Sequence, residues 1–416
     1  MRKFLWLGLA ALPLAIAAID ELAILPMDSP AIRYTNGPVH DRVHALDERL
    51  AKGEIKLAHN QDFGYLPSLL EALGVPQSSQ VLVFSKTSFQ APRIAPRTPR
   101  ALYHCDDVAV GFVRGGDVLE LAAVDPQQGV VFYTLDQWET ARPSLVRRSE
   151  CFQCHVGAST LGVPGLVVRS VHVDRSGTAL LNAPAFITDH RSPLKQRWGG
   201  WYVTGTTGSQ VHMGNQTVED RDDPELDLSL GANIADLHRY FDTYAYLRPT
   251  SDVVSLMILE HQTRMTNLIT RLGWETRLEA SDDRLNATAE ELVAYMLLAD
   301  ETPLTAPIEG SPAYAAEFMA QGPKDHLGRS LRDLDMTTRM FRYPCSFLIY
   351  SAQFDGLPPS ARQRVYRRLY EVLSGRDHSA RYARLSQSDR QAVLEILRDT
   401  KKDFAATSPS GPLAPR

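Results

Sequence analysis

The chain has 416 residues, 44% of them hydrophobic and 22% charged, with a formal net charge of −5. This is the composition of an ordinary soluble globular protein, with enough length for two or three modest domains. The negative balance, which becomes −7 without Arg2 and Lys3, argues against nucleic acid as a partner.

Arg2 and Lys3 precede an apolar run from Phe4 to Ala18, with small residues at Ala15, Ala17 and Ala18 and charge returning at Asp20 and Glu21. A basic start, a short apolar stretch and an A-x-A-like site predict a secretory signal peptide over 1–18. The run is shorter than the ~20 residues a membrane span needs. An uncleaved anchor is the alternative, and no integral span is expected once the signal is removed.

Residues 19–80 read as a helical and extended segment. Asp28 to Pro38 is predicted extended. Val43, Leu46 and Leu50 share one face of a short helix over Asp41–Leu50, and a second helix over Leu66–Leu73 is stopped by Gly74 and Pro76. A β-rich region follows over 81–228. Its strand candidates are Val81–Phe84, Ala101–His104, Val108–Val113, Val118–Ala123 and Val130–Thr134, separated by Gly115-Gly116 and by Asp125 to Gly129. That spacing predicts a β-meander. Further strands are expected at Val167–Val173 and Trp201–Thr204.

Between these strands, on a polar loop, stands Cys151-Phe152-Gln153-Cys154-His155. Two cysteines two residues apart and followed at once by histidine form the attachment signature of c-type haem. Both thiols must reach the vinyl groups of one porphyrin, and the next residue must turn its imidazole onto the iron. Cys151 and Cys154 are therefore the expected covalent haem sites, and His155 the expected proximal iron ligand. A structural zinc site would want more cysteine or paired histidine nearby, and Cys105 and Cys345 stand far off. A thioredoxin-type motif would follow an apolar strand, whereas Arg147-Arg148-Ser149-Glu150 is polar. Haem c is attached outside the cytoplasmic membrane, so motif and signal peptide agree on a bacterial periplasm or a secreted protein. There Cys105 and Cys345 can pair as a disulfide; the alternative is two buried free thiols.

Residues 229–403 turn helical, with segments expected at Ile234–Tyr246, Asp252–Leu272 closed by Gly273, Ala289–Leu298 begun by a Thr288/Glu291 capping box, Ala361–Leu373 and Asp389–Arg398. A disordered tail is expected over 404–416. The fold class is thus α+β, a β-meander region carrying the haem-attachment loop followed by a mainly α-helical C-terminal region.

The iron's sixth position has several candidates. His212 and Met213 sit among Gly199, Gly200, Gly205, Gly208 and Gly214, whose backbone can approach a flat ligand. The competing reading is a tight hairpin with a surface histidine. His261 lies mid-stripe on a helix face running Val254, Met257, His261, Met265, Leu268 and Leu272. His212 ranks first as distal ligand, then His261, then Met213, then an open site. His190 is a further pocket candidate, with a turn before Pro193 as the plainer alternative. Arg147, Arg148, Arg169 and Arg197 are candidates to pair the haem propionates. Glu219 to Asp223 is acidic but lacks an EF-hand spacing.

Several stretches resemble a bacterial family of secreted monohaem c-type cytochrome (CxxCH) proteins. They are Pro96 to Tyr103, the CxxCH segment, Thr188-Asp189-His190, Trp198 to Gly205, His212 to Asn215, Glu260-His261-Gln262 and Tyr343 to Ser346. The resemblance implies a haem protein and adds weight to His190, His212 and His261 as site residues. It implies nothing about substrate. The expected function is electron transfer through one covalent haem to a redox partner protein, or else a peroxidase-like haem oxidoreductase with an open or displaceable sixth position.

Overall fold

The Asp41 carboxylate accepts hydrogen bonds from the backbone N–H of Val43 and His44 and so starts α1, Arg42–Ala51. α2, Leu66–Leu73, ends on Gly74 in the left-handed region. The computed structural model describes residues 23–407 of the chain. The expected signal peptide and residues 408–416 of the expected tail lie outside the described residues.

The meander forms as the alternating pattern predicts. β1 (Val81–Val83), β2 (Arg100–His104), β3 (Val108–Phe112), β4 (Val118–Asp125), β5 (Gly129–Asp136) and β6 (Leu145–Arg147) pair antiparallel in sequence order. After the one-turn helix α3 (Phe152–His155), β7 (Val168–Val171) and β8 (Ala185–Thr188) make a separate hairpin. β9 (Trp201–Tyr202) returns to pair with β1, giving the order β6-β5-β4-β3-β2-β1-β9.

Side-chain alternation gives this sheet two different faces. Leu82, Ala101, Tyr103, Val110, Leu119, Leu121, Val131 and Tyr133 point to one face, where Val43, Leu46, Leu69 and Leu70 of α1 and α2 cover them. The other face carries Val81, Val83 and Leu102 toward the helical region at one end. At the other end it carries Ala122, Val130 and Phe132 toward the CxxCH turn.

The helical region is organised around α4, Val253–Arg277, in which 22 of 25 residues are buried. The expected apolar stripe is therefore only one side of a central helix. α4 runs straight through Gly273 rather than ending there. The glycine serves packing instead, since a Cβ at that position would fall 3.3 Å from Leu357 Cδ2. Around α4 stand α5 (Asp282–Met296), α6 (Pro312–Ala320), α7 (Ala352–Asp355), α8 (Pro359–Leu373), α9 (Gln387–Thr400) and α10 (Lys402–Thr407). Ser281, not Thr288, caps α5; the Thr288 hydroxyl instead donates to Glu275 at 2.5 Å.

Further expectations fail. Asp28–Pro38 is a run of turns and not an extended segment, with Ile32 N and Arg33 N both donating to Ser29 O. Ile234–Tyr246 is not a helix but a run of turns with one 3-10 segment, Thr243–Ala245. Its Phe241 and Tyr246 serve as packing for the first sheet face, and the Tyr246 hydroxyl donates to Pro99 O at 2.7 Å. Nor does the tail begin disordered at 404, since Phe404 is fully buried and packs edge-on to Tyr366. Cys105 and Cys345 are both free thiols, the first half-buried beside the α1/α2 core and the second inside the helical core. No helix among the described residues is long and apolar enough to cross a membrane.

Candidate functional site

The haem motif forms a single helical turn. Cys151 stands at its N-cap, and its carbonyl accepts from Cys154 N at 3.2 Å and from His155 N at 3.0 Å. Phe152 anchors the turn, its ring edge-on to Tyr34 and to Phe132. That anchoring leaves Cys154 exposed and Cys151 half-buried, neither in a disulfide. Burial with Glu120 beside it pushes the Cys151 thiol up to about 11.

His155 is held as an axial ligand needs to be. Its Nδ1 lies 2.9 Å from Gly165 O, while Nε2 has no hydrogen-bond partner among the described residues. A carbonyl can only accept, so Nδ1 carries the proton and Nε2 keeps its lone pair. Burial lowers the imidazole's pKa and keeps it neutral. The ring rests 4.9 Å from Phe132.

The carbonyl that orients His155 is itself fixed from α4. Asn267 accepts from Leu166 N at 3.1 Å and donates to Leu166 O at 2.8 Å, and Arg271 donates to Leu161 O at 2.5 Å. Gly165 permits this approach, since a Cβ there would fall 2.1 Å from Asn267 Oδ1. Asn267→Ala is expected to cost about 1–2 kcal/mol, because two part-buried backbone groups lose their partner. Hydrogen exchange checks it: the Leu166 amide should lose protection while β3 to β5 keep theirs.

Facing the turn is a trough in the sheet. Its floor is small, with Ala109 and Gly111 on β3 and Ala122 on β4, and the register places Glu120 opposite both Gly111 and Thr134. A small cleft of about 20 Å³, room for about one water, runs from Ala109 and Ala122 to Leu166 and to Leu259, Gln262 and Thr266 of α4. A small-residue floor, two free thiols and an imidazole nitrogen without a partner among the described residues thus stand together on one face of the sheet.

The other sequence candidates lie elsewhere. Both ring nitrogens of His261 are engaged: Nε2 lies 2.7 Å from Ser346 Oγ and Nδ1 lies 2.9 Å from His190 Nδ1. His212 is buried, not a surface residue. It packs on Trp198, and its Nδ1 accepts from Gly214 N at 3.1 Å. Met213 Sδ accepts from Ser170 Oγ at 3.5 Å. Asn215 N bonds Trp201 O, so both His212 and Met213 flank β9, five strands from the β5 residue under His155. The glycine-rich stretch and the helix stripe both serve core packing, and they place these candidates apart from the CxxCH turn.

Among the arginines, Arg148 donates from Nε to Thr134 Oγ1 at 2.8 Å beside the trough, and exposed Arg169 acts electrostatically on His155. Arg147 is committed to Tyr34, whose carbonyl it bonds. Arg197 is no propionate partner. It is buried against Glu260 at 3.1 Å and donates to the carbonyls of His190 and Ser192.

The resembling segments thus converge, but on a second place. Thr188 donates to Glu260 Oε1 at 2.6 Å, Arg197 pairs Glu260 Oε2, His190 stacks on Tyr295 at 4.1 Å, and His261 bridges His190 and Ser346. This is a fully buried polar centre around α4, where desolvation drives His261 down to about 3 and His190 well below its ordinary range. Sequence reasoning missed Gly165 and Asn267. Asn267 left one signal, a buried amide on an otherwise packed helix. Comparison with family models, with curated proteins and with solved structures finds no match to this chain.

Proposed function

We propose that this chain is a periplasmic c-type cytochrome that binds one haem covalently through Cys151 and Cys154, with His155 as proximal ligand, and passes electrons to a redox partner protein. The observation that carries the reading is the state of His155. Its Nδ1 proton is spent on Gly165 O and its Nε2 is free, at the end of a turn whose two thiols are uncommitted. An iron ligand needs that arrangement; exposed His172 shows it too, with Nδ1 3.0 Å from Pro184 O, so it is the two free thiols beside His155 that give the arrangement its meaning. The sequence signal for export supports the same reading, because thioether attachment takes place outside the cytoplasmic membrane.

A second reading, a haem oxidoreductase with an open sixth position, is favoured by one feature of the trough. The imidazole that lines its cleft, His104, has both nitrogens engaged, by Gln262 at 3.1 Å and by Ser255 at 2.8 Å. It is therefore not poised to ligate iron.

The test is expression with a c-type maturation system. The protein should be recovered from the periplasm starting near Ala18 or Ile19, and should keep its haem through acid-acetone extraction and a denaturing gel. Cys151→Ala with Cys154→Ala should remove that haem. Haem that extracts freely from the wild type overturns the proposal. Carbon monoxide then separates the two readings: a reduced protein that binds it rapidly is an open-site protein, and one that does not is a six-coordinate carrier.

A further inference from the structure

The trough contains one polar device that neither the motif nor the fold requires. Arg100 on β2 reaches across β3 to Glu120 on β4, with Nη2 2.6 Å from the carboxylate. It can do so because the residue between them is Gly111. A Cβ there would fall 2.6 Å from Nη2 and 2.8 Å from Nε of Arg100. Glu120 is fixed in turn: Ser88 Oγ donates to its Oε1 at 2.5 Å and Gln90 Nε2 at 2.8 Å. The side chains are largely buried, 17% and 13% exposed. Yet Arg100 Nε is shielded from solvent with no hydrogen-bond partner. A buried guanidinium N–H left open is costly, and a native chain usually gives it something to bind.

Its location says what that is. Glu120 is two residues from Ala122 on the same face of β4, and Ala122 belongs to the cluster on which Cys151 packs. Ala122 pairs with Phe132 on β5, on whose ring His155 rests at 4.9 Å, and Glu120 pairs with the next residue on that face, Thr134. The Arg100–Glu120 pair therefore lies on the sheet face against which the CxxCH turn packs. Arg148 and Arg169 add positive charge around it.

We propose that Arg100, held over Gly111 by Glu120, is the anion-binding residue of the haem trough, and that its ligand is an anionic oxygen or similar small anion. This rests on the haem reading above. The same chemistry has two sources, a propionate of the haem itself or a small anion drawn to the iron's sixth position. Arg100 is a positioning residue in the first case and a ligand-binding residue in the second.

The experiment uses the haem-loaded full chain as wild type, Arg100→Gln, Arg100→Lys and Glu120→Gln. Haem staining on a denaturing gel comes first. Azide and, as a neutral control, imidazole are then titrated onto the ferric protein, and the midpoint potential is measured. If the source is a small anion, Arg100→Gln weakens azide binding about tenfold or more and leaves imidazole binding alone. Glu120→Gln strengthens azide binding, because the competing carboxylate is gone. If the source is a propionate, azide binding is unchanged, while the potential shifts in Arg100→Gln and returns toward wild type in Arg100→Lys. Should Arg100→Gln fail to accumulate, Gly111→Ala displaces the guanidinium without removing its charge and should show the same split. A wild type without covalent haem overturns this inference together with the haem reading. A haem-loaded set with identical azide affinities and potentials overturns this inference alone.

Discussion

Glu260→Leu should cost about 3–5 kcal/mol of folding stability, more than Asn267→Ala. Glu260 and Arg197 are 0% and 1% exposed, and they are each other's charge partner at 3.1 Å. Two desolvated ions gain little net stability from their attraction. Removing one strands the other in a medium that cannot solvate it. Arg197 cannot escape to water, because its remaining N–H groups are fixed on Ser192 O and His190 O. Adding Arg197→Met should recover part of the loss but not all, since those carbonyls then lose their donors. Urea denaturation of the single and double variants measures this through the midpoint at constant slope. A Glu260→Leu protein within about 1 kcal/mol of wild type would show that the pair is solvated and the centre is not dry.

Acid should destabilise the protein from near pH 6.5 downward, well above the range where ordinary carboxylates titrate. The imidazoles of His261, His104, His212 and His190 are buried neutral. His261 is driven to about 3, His104 and His212 to about 4, and His190 well below its ordinary value, all chiefly by desolvation. In the unfolded chain each takes up a proton near the ordinary value of about 6.5. Between that value and the folded ones the unfolded state binds more protons, so stability is present above about pH 6.5 and is lost as pH falls. Carboxyls whose pKa burial raises oppose this, Glu260 and Asp106 among them. Burial raises Asp252 to about 6 and Glu301 to about 7, so the folded state holds their protons over part of the same range. The balance is an uptake of about one to two protons on unfolding near pH 5.5, or about 1–3 kcal/mol per pH unit. Denaturant midpoints measured from about pH 8 to about pH 5 check the slope. A flat profile would mean that these imidazoles are charged or hydrated in the folded state.

The parts of this molecule that are legible in the sequence are those governed by local rules. The meander is readable because Val108 to Thr134 alternates between two faces and Asp125 to Gly129 is a turn in any context. The CxxCH turn is readable as a motif because the haem attachment proposed for it would demand that spacing. The helix at Asp252 is readable from its cap, but its end is not. Gly273 is a stop signal only where the chain has somewhere else to go, and here the surrounding helices hold it in line. Ile234–Tyr246 shows the converse, a helical period whose aromatic residues are wanted by the sheet. The surroundings of the distal candidates are not legible for a related reason. Polar residues on a helix buried on every side pair largely with one another, so the histidine in the apolar stripe lies in a buried polar centre. What the trough requires, Gly111 between Arg100 and Glu120 and Gly165 beneath Asn267, depends on residues brought together across the fold, and no local pattern shows it.

The clamp on the CxxCH loop closes over a long stretch of chain: Leu166 and its Asn267 partner are 101 residues apart. A polypeptide delivered N-terminus first presents Cys151 and Cys154 before α4 has emerged, and until Asn267 arrives nothing of α4 holds the loop. On the haem reading proposed above, a catalyst that must grip both thiols and the imidazole would meet them on a slack loop in that interval. Contact order, which ordinarily only slows folding, would then set how long the attachment site stays open.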